Sequence, residues 1–171
     1  MAWQDREREW KNLNEMQRQI GCVSMAWSQI DLALIELIAN LTDLAPGQAT
    51  IFLKGKMIGA KIEITRDLIK FHAPSGDWSD RAKQALVTLT QDLNPKRNRI
   101  IHDIHRFDVD EISRQKVDSI AADFEPDSTK VTIAEMEQLW HQALVIIDEL
   151  RALAHDVVPW AIEQRNSLSY D

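Results

Sequence analysis

Apolar residues recur at three- and four-residue steps from Trp3 to Leu41, through Trp10, Leu13, Ile20, Val23, Trp27, Ile30, Leu34 and Leu37, with Met16 or Gln17 filling one gap. That spacing lays them along one stripe of an α-helix. It predicts one long helix, or two nearly collinear ones broken at Gly21, where a break costs least. Before Gly21 the stripe is thin among Arg, Glu, Gln and Asn, too thin for a core helix. Residues 1–19 therefore read as a helical arm, with tryptophans at i,i+7 suited to a second subunit, or else as a frayed, solvated terminus.

Pro46-Gly47 closes that unit. A short helix from Ala49 to Lys54 leads past Gly55 and Gly59 into another from Ala60 to Phe71, with Ile62, Ile64, Leu68, Ile69 and Phe71 as its buried face and His72 near its C-terminal cap. Pro74-Ser75-Gly76-Asp77 is a turn, and a helix from Trp78 to Leu93 keeps Leu86, Leu89 and Leu93 on its core side. Asn94 suits an N-cap and Pro95 the first helical position, so a new helix starts there and must kink or fold back from the one before. Past Arg106, Phe107 to Asp110 and Arg114 to Ile120 alternate loosely, with a turn at Glu125-Pro126-Asp127-Ser128. They read as a small hairpin or flap. Thr132 and Glu135 form a T-x-x-E capping box opening a helix to about Val157, with Ile133, Met136, Leu139, Trp140, Ala143, Ile147, Leu150 and Ala154 as its face. Residues 161–171 read as a flexible tail.

The fold class expected is all-α: an antiparallel bundle of four to five helices, with a long N-terminal helix and a small hairpin or flap insertion before the last long helix. The 171 residues, 44% hydrophobic, suit one domain over 1–171, and five Gly with five Pro are too few for a many-turned β fold. No apolar run reads as long enough to span a bilayer and the N-terminus is charged from Asp5, so a cytoplasmic protein without membrane contact is expected. Cys22 alone excludes an internal disulfide and a cysteine metal cluster, and reads as a small core residue. A formal charge of -7 argues against broad duplex binding, so any nucleic acid must be met by a local patch.

Such a patch stands at Asn94 to Arg106, where four basic side chains face one acidic one. As a continuous helix it puts Asn98, His102, His105, Arg106 and Arg99 on a polar arc and Ile100, Ile101 and Ile104 opposite. Arg97 falls between Ile101 and Ile104, a cation beside the apolar face and at a helix start, where its charge opposes the macrodipole. Either a carboxylate from another helix, Asp31 or Glu36, pairs with it and fixes packing register, or it faces a cleft that takes phosphate, with a histidine nearby to move a proton.

Arg97-Asn98-Arg99-Ile100-Ile101-His102 resembles the R-N-x-x-x-H signature of the HEPN superfamily, and the likeness covers mainly residues 20 to 106 and the last long helix. The resemblance implies a helical homodimer whose motif helices face each other across a two-fold axis. It implies a metal-independent endoribonuclease without cofactor, acting on single-stranded RNA and serving as a toxin or defence effector beside a nucleotidyltransferase-like antitoxin. His102 would then act as base or acid at the ribose 2′-hydroxyl, Arg97 would hold the scissile phosphate, and Asn98 would position either. Lys96, Arg99, His105 and Arg106 would contact the RNA backbone, and Asp31 would be an orienting carboxylate. Many family members carry a small residue after the histidine, where this chain has Asp103.

Two other functions compete. A non-catalytic HEPN-like dimer would bind nucleotides or partners through the same patch. His102-Asp103 is also the dipeptide of metal-dependent HD phosphohydrolases, with His72 and His105 as further ligands, but an i,i+3 histidine pair is a weak metal signal and no metal site is assigned. His141 and His155 stand singly and read as solvated. A Gly-rich phosphate loop and a zinc pattern are both missing from the sequence.

Overall fold

The structure, a computed structural model, describes residues 3–72, 76–102, 104–107, 112–115 and 131–168, with side chains described over 10–72, 76–101 and 131–162. The first helix, α1 (Trp3–Thr42), passes Gly21 without a break. Its stripe is buried from Met16 onward through Val23, Trp27, Ile30, Leu34, Leu37 and Leu41, whereas Trp10 is 64% exposed. Met16, not the exposed Gln17, fills the gap. Cys22 is half-buried on the flank of the stripe instead of in the core.

Asp43 ends α1 by taking a left-handed φ of 56°, and the N–H of Leu44 then donates to Ala39 O at 3.0 Å. This satisfies a carbonyl the helix end would otherwise strand, and it turns Leu44 back against the small apolar cluster around Ala39. Pro46 therefore opens the next helix, α2 (Pro46–Leu53), at its first position instead of closing α1. Ala49 and Leu53 of α2 cover Ile35, Ile38 and Ala39.

In α3 (Ile58–His72) Ile62 and Ile69 are buried as expected, but Phe71 is 82% exposed. The sequence reading passed over Lys61, which sits on the buried side with Thr65. The Lys61 ammonium meets both oxygens of Asp31 at 2.7 and 2.6 Å, locking α3 to α1.

The expected break at Asn94 is absent. Three segments form one helical run: α4 (Asp77–Val87), a π-helical turn over Thr88–Leu93, and α5 (Asn94–His102). Asn94 has helical φ and ψ of -63° and -42°, and its N–H donates five residues back to Leu89 O. Proline has no N–H and its ring clashes with the carbonyl four residues earlier, so Pro95 inside a regular helix would break it. The wider π turn just before Pro95 is a recognised local device for carrying such a defect. Asn94 is consequently not a cap; its Oδ1 accepts from the Trp27 indole at 3.2 Å, bridging to α1.

After His102 the helix is over: Ile104–Phe107 (β1) pairs antiparallel with Ile112–Gln115 (β2), with His105 opposite Arg114 and Arg106 opposite Ser113. His105 and Arg106 therefore stand on a strand, not on the arc of α5. The turns expected at 74–75 and 125–128, with Asp103, lie outside the described residues.

The last helix, α6 (Ile133–Leu168), starts with the expected capping box: Glu135 Oε2 accepts from Thr132 N at 2.7 Å and Thr132 Oγ1 accepts from Glu135 N at 3.1 Å. It does not stop near Val157. It runs through Pro159 to Leu168 where a tail was expected, and only 169–171 lie outside the described residues. One turn before Pro159, Trp78 Nε1 donates to Leu153 O at 3.0 Å and Asn40 Nδ2 donates to Ala154 O at 2.8 Å, so α4 and α1 both grip its backbone.

The contacts Gln29–Arg151 and Asn40–Ala154 rise together, so α1 and α6 run the same way. The contacts Arg81–Glu149 and Trp78–Leu153 rise oppositely, so the composite helix runs antiparallel to them. The core lies between these three, filled by Ile30, Leu34, Leu89, Leu93, Met136 and Leu150. The molecule is thus an all-α bundle with long first and last helices and a two-stranded insertion between α5 and α6. By length and composition Trp10–Thr42 is apolar enough to cross a membrane, which the sequence reading did not expect. Half of its most apolar window is buried against the rest of the bundle, the pattern of a core helix as well.

Candidate functional site

Successive residues of α5 turn by 100°, so its side chains divide between two neighbours. Asn94 faces α1, as its bond to Trp27 shows. Lys96, Arg99 and Ile100 face the start of α6 and form one wall of an open groove of about 150 Å³. Its other wall is Glu135, Gln138, Leu139 and Gln142, with Val131 closing one end. Ile100, Val131 and Leu139 are buried and make the groove's floor apolar, while the exposed Lys96, Arg99, Glu135 and Gln138 make its rim polar.

The rim's charges are partly engaged. The Lys96 ammonium lies 2.6 Å from Asp92 one turn back, an exposed pair of the sort that contributes little net stability. Glu135 uses Oε2 for both of its bonds to Thr132, the backbone N–H and the hydroxyl.

Arg97 and Asn98 lie around the helix from the groove. Arg97 is half-buried, as its place beside the apolar face led one to expect, and burial pushes its guanidinium pKa down. Because α5 continues the helical run of the preceding segments instead of starting free at Asn94, the expected conflict between Arg97 and the macrodipole falls away. Its Nη1 donates to Oδ1 of the adjacent, exposed Asn98 at 3.0 Å, which draws the cation toward solvent. The α5 backbone places His102 one turn past Asn98; the side chains of His102, His105 and Arg106 lie outside the described residues.

Asp31, the expected orienting carboxylate, is bound by Lys61 across the α1–α3 interface, and Glu36 is exposed. His72 packs edge-on against Phe71 and Trp160 at 5.0 and 5.5 Å. Trp160 follows Glu135 by 25 residues on α6 (160 − 135), about 38 Å at the rise of a helix, so His72 cannot share a metal with groups on α5. Among the described residues no cluster of three or more His, Cys, Asp or Glu side chains is placed to hold a metal ion.

The groove's α6 wall was missed from sequence. The signal was present: Glu135, Gln138 and Gln142 fall at i, i+3 and i+7, a polar row beside the Leu139 position. What the sequence lacked was the pairing of that row with α5. Comparison with models of protein families, with curated proteins and with solved structures yields no match to this chain.

Proposed function

We propose that this chain is a HEPN-like, metal-independent endoribonuclease acting on single-stranded RNA from a homodimer. The observation that carries the reading is the Arg97–Asn98 pair. A guanidinium penalised by burial is steered by a 3.0 Å hydrogen bond onto an exposed surface one helical turn from His102. A delocalised cation with fixed donors is suited to the charge that grows on phosphorus-bound oxygens during transfer.

In the proposed reaction His102 takes the proton of the 2′-hydroxyl, the 2′-oxygen attacks phosphorus, and the P–O5′ bond breaks. The 5′-oxygen leaves with the proton that the His102 imidazolium gives back, and a 2′,3′-cyclic phosphate remains. Imidazole has an ordinary pKa near pH 7, which fits it to both halves of that proton traffic. Lys96 and Arg99 extend the cationic surface for the flanking backbone, and single strands suit a patch confined to one helix. A nucleotidyltransferase-like antitoxin belongs to the proposal through the motif resemblance alone. The groove beside α5 favours a second reading, a non-catalytic HEPN-like protein that binds nucleotides there.

The test is cleavage of mixed single-stranded RNA in chelator by wild type, His102→Ala and Arg97→Ala, after confirming that each variant is folded. The expected outcome is cyclic-phosphate product from wild type and loss of it in both variants. Intact RNA with wild-type protein, or equal cleavage by His102→Ala, overturns the nuclease reading.

A further inference from the structure

We infer that the groove between α5 and α6 is a pocket for a pyrimidine nucleotide, with cytosine favoured over uracil. The inference rests on the reading of this chain as an RNA-binding protein and adds a base preference to it. Three features converge on that ligand.

The first is size and polarity. An open space of about 150 Å³ over a floor of Ile100, Val131 and Leu139 is on the scale of one benzene-sized ring, so a pyrimidine seats on the apolar floor while a two-ring purine overhangs the polar rim. The second is the α6 wall. Gln138 and Gln142 each offer an amide that either donates or accepts, so they bind a base edge without choosing among bases. Glu135 does choose. Its Oε2 is committed to Thr132, its Oε1 carries none of those bonds, and an ionised carboxylate only accepts. The N4 amine of cytosine donates at the position where uracil presents a carbonyl oxygen, which a carboxylate repels. The third is the α5 wall, where Lys96 and Arg99 stand at the groove's rim. The Lys96–Asp92 pair is exposed and exchanges readily, and Arg99 supplies two-pronged donors to a phosphate.

Substitution at Glu135 separates recognition from folding, because Glu135→Gln keeps the side-chain oxygen that the capping box needs and removes only the charge. The experiment is calorimetric titration of the full chain with CMP, UMP, AMP, GMP and the nucleoside cytidine, repeated with Glu135→Gln and Arg99→Ala. Expected are CMP binding about tenfold tighter than UMP or either purine nucleotide, loss of the CMP-over-UMP preference in Glu135→Gln, and loss in Arg99→Ala of the advantage of CMP over cytidine. Absence of binding by all four nucleotides, purine binding equal to CMP, or an unchanged preference in Glu135→Gln overturns the inference. CMP binding without RNA cleavage would sink the nuclease reading and leave the groove standing. RNA cleavage that ignores base identity and Glu135→Gln would do the reverse.

Discussion

Replacing Asp31 with alanine leaves the Lys61 ammonium in the α1–α3 interface without its carboxylate. The Lys61 side chain is only 6% exposed and Asp31 33%, so the cation is desolvated while the anion keeps some water. Breaking a fully buried pair costs about 3–5 kcal/mol, and with one partner a third exposed the expected cost is about 2–3 kcal/mol. For a chain of this size that lowers the melting temperature by roughly 4–12 °C. Because the cost comes from the stranded charge, Asp31→Ala combined with Lys61→Met should recover most of it, the methionine filling the lysine stem's place. Urea unfolding followed by far-UV circular dichroism gives both free energies. If Asp31→Ala is neutral, or the double variant is as unstable as the single one, the pair does not hold α3 to α1 as described. A loss of RNA cleavage in a fully folded Asp31→Ala would instead return Asp31 to the catalytic role first considered for it.

Asn94 and Glu15 provide two further checks. If Asn94 serves the Trp27 indole and not a helix start, Asn94→Ala costs about 1 kcal/mol and Asn94→Ser, an equally good N-cap, does not rescue it; rescue by serine in a denaturation series would restore the capping role. The Glu15 carboxyl is held at about 2 by hydrogen bonds from Arg18 and then Gln19, below its ordinary 4.5. A depressed carboxyl pKa contributes stability that is fully present above the ordinary value and is lost as pH falls through the folded one. The carbon-detected NMR titration midpoint of Glu15 should thus move up toward 4.5 in Arg18→Ala, and an unmoved midpoint would refute Arg18 as the cause.

Periodicity was enough for the main helices. The three-four stripe of α1, the Leu86, Leu89, Leu93 row and the T-x-x-E box before α6 are local patterns whose energetics lie within a few residues, and the structure uses each of them. Phe71 and Lys61 went wrong because hydropathy says which residues favour burial, not which face a neighbour will cover. The Asn94-Pro95 step failed for a different reason. As a dipeptide it is an excellent helix start, and only the packing of Trp27 and Leu93 makes a continuous helix with a π turn the better solution.

The motif itself, Arg97-Asn98-x-x-x-His102, is a property of the sequence alone, and so is the reversal of charge around it. Tertiary structure decided what surrounds it. It gave Asp31 to Lys61, set His72 at the opposite end of α6, ended α5 before His105, and brought Glu135, Gln138 and Gln142 against Lys96 and Arg99 to make a groove. Helical periodicity is a short-range consequence of backbone hydrogen bonding and can be read from one segment. A groove is the space left between two segments some forty residues apart, and which faces they turn to each other is settled only when the whole core packs.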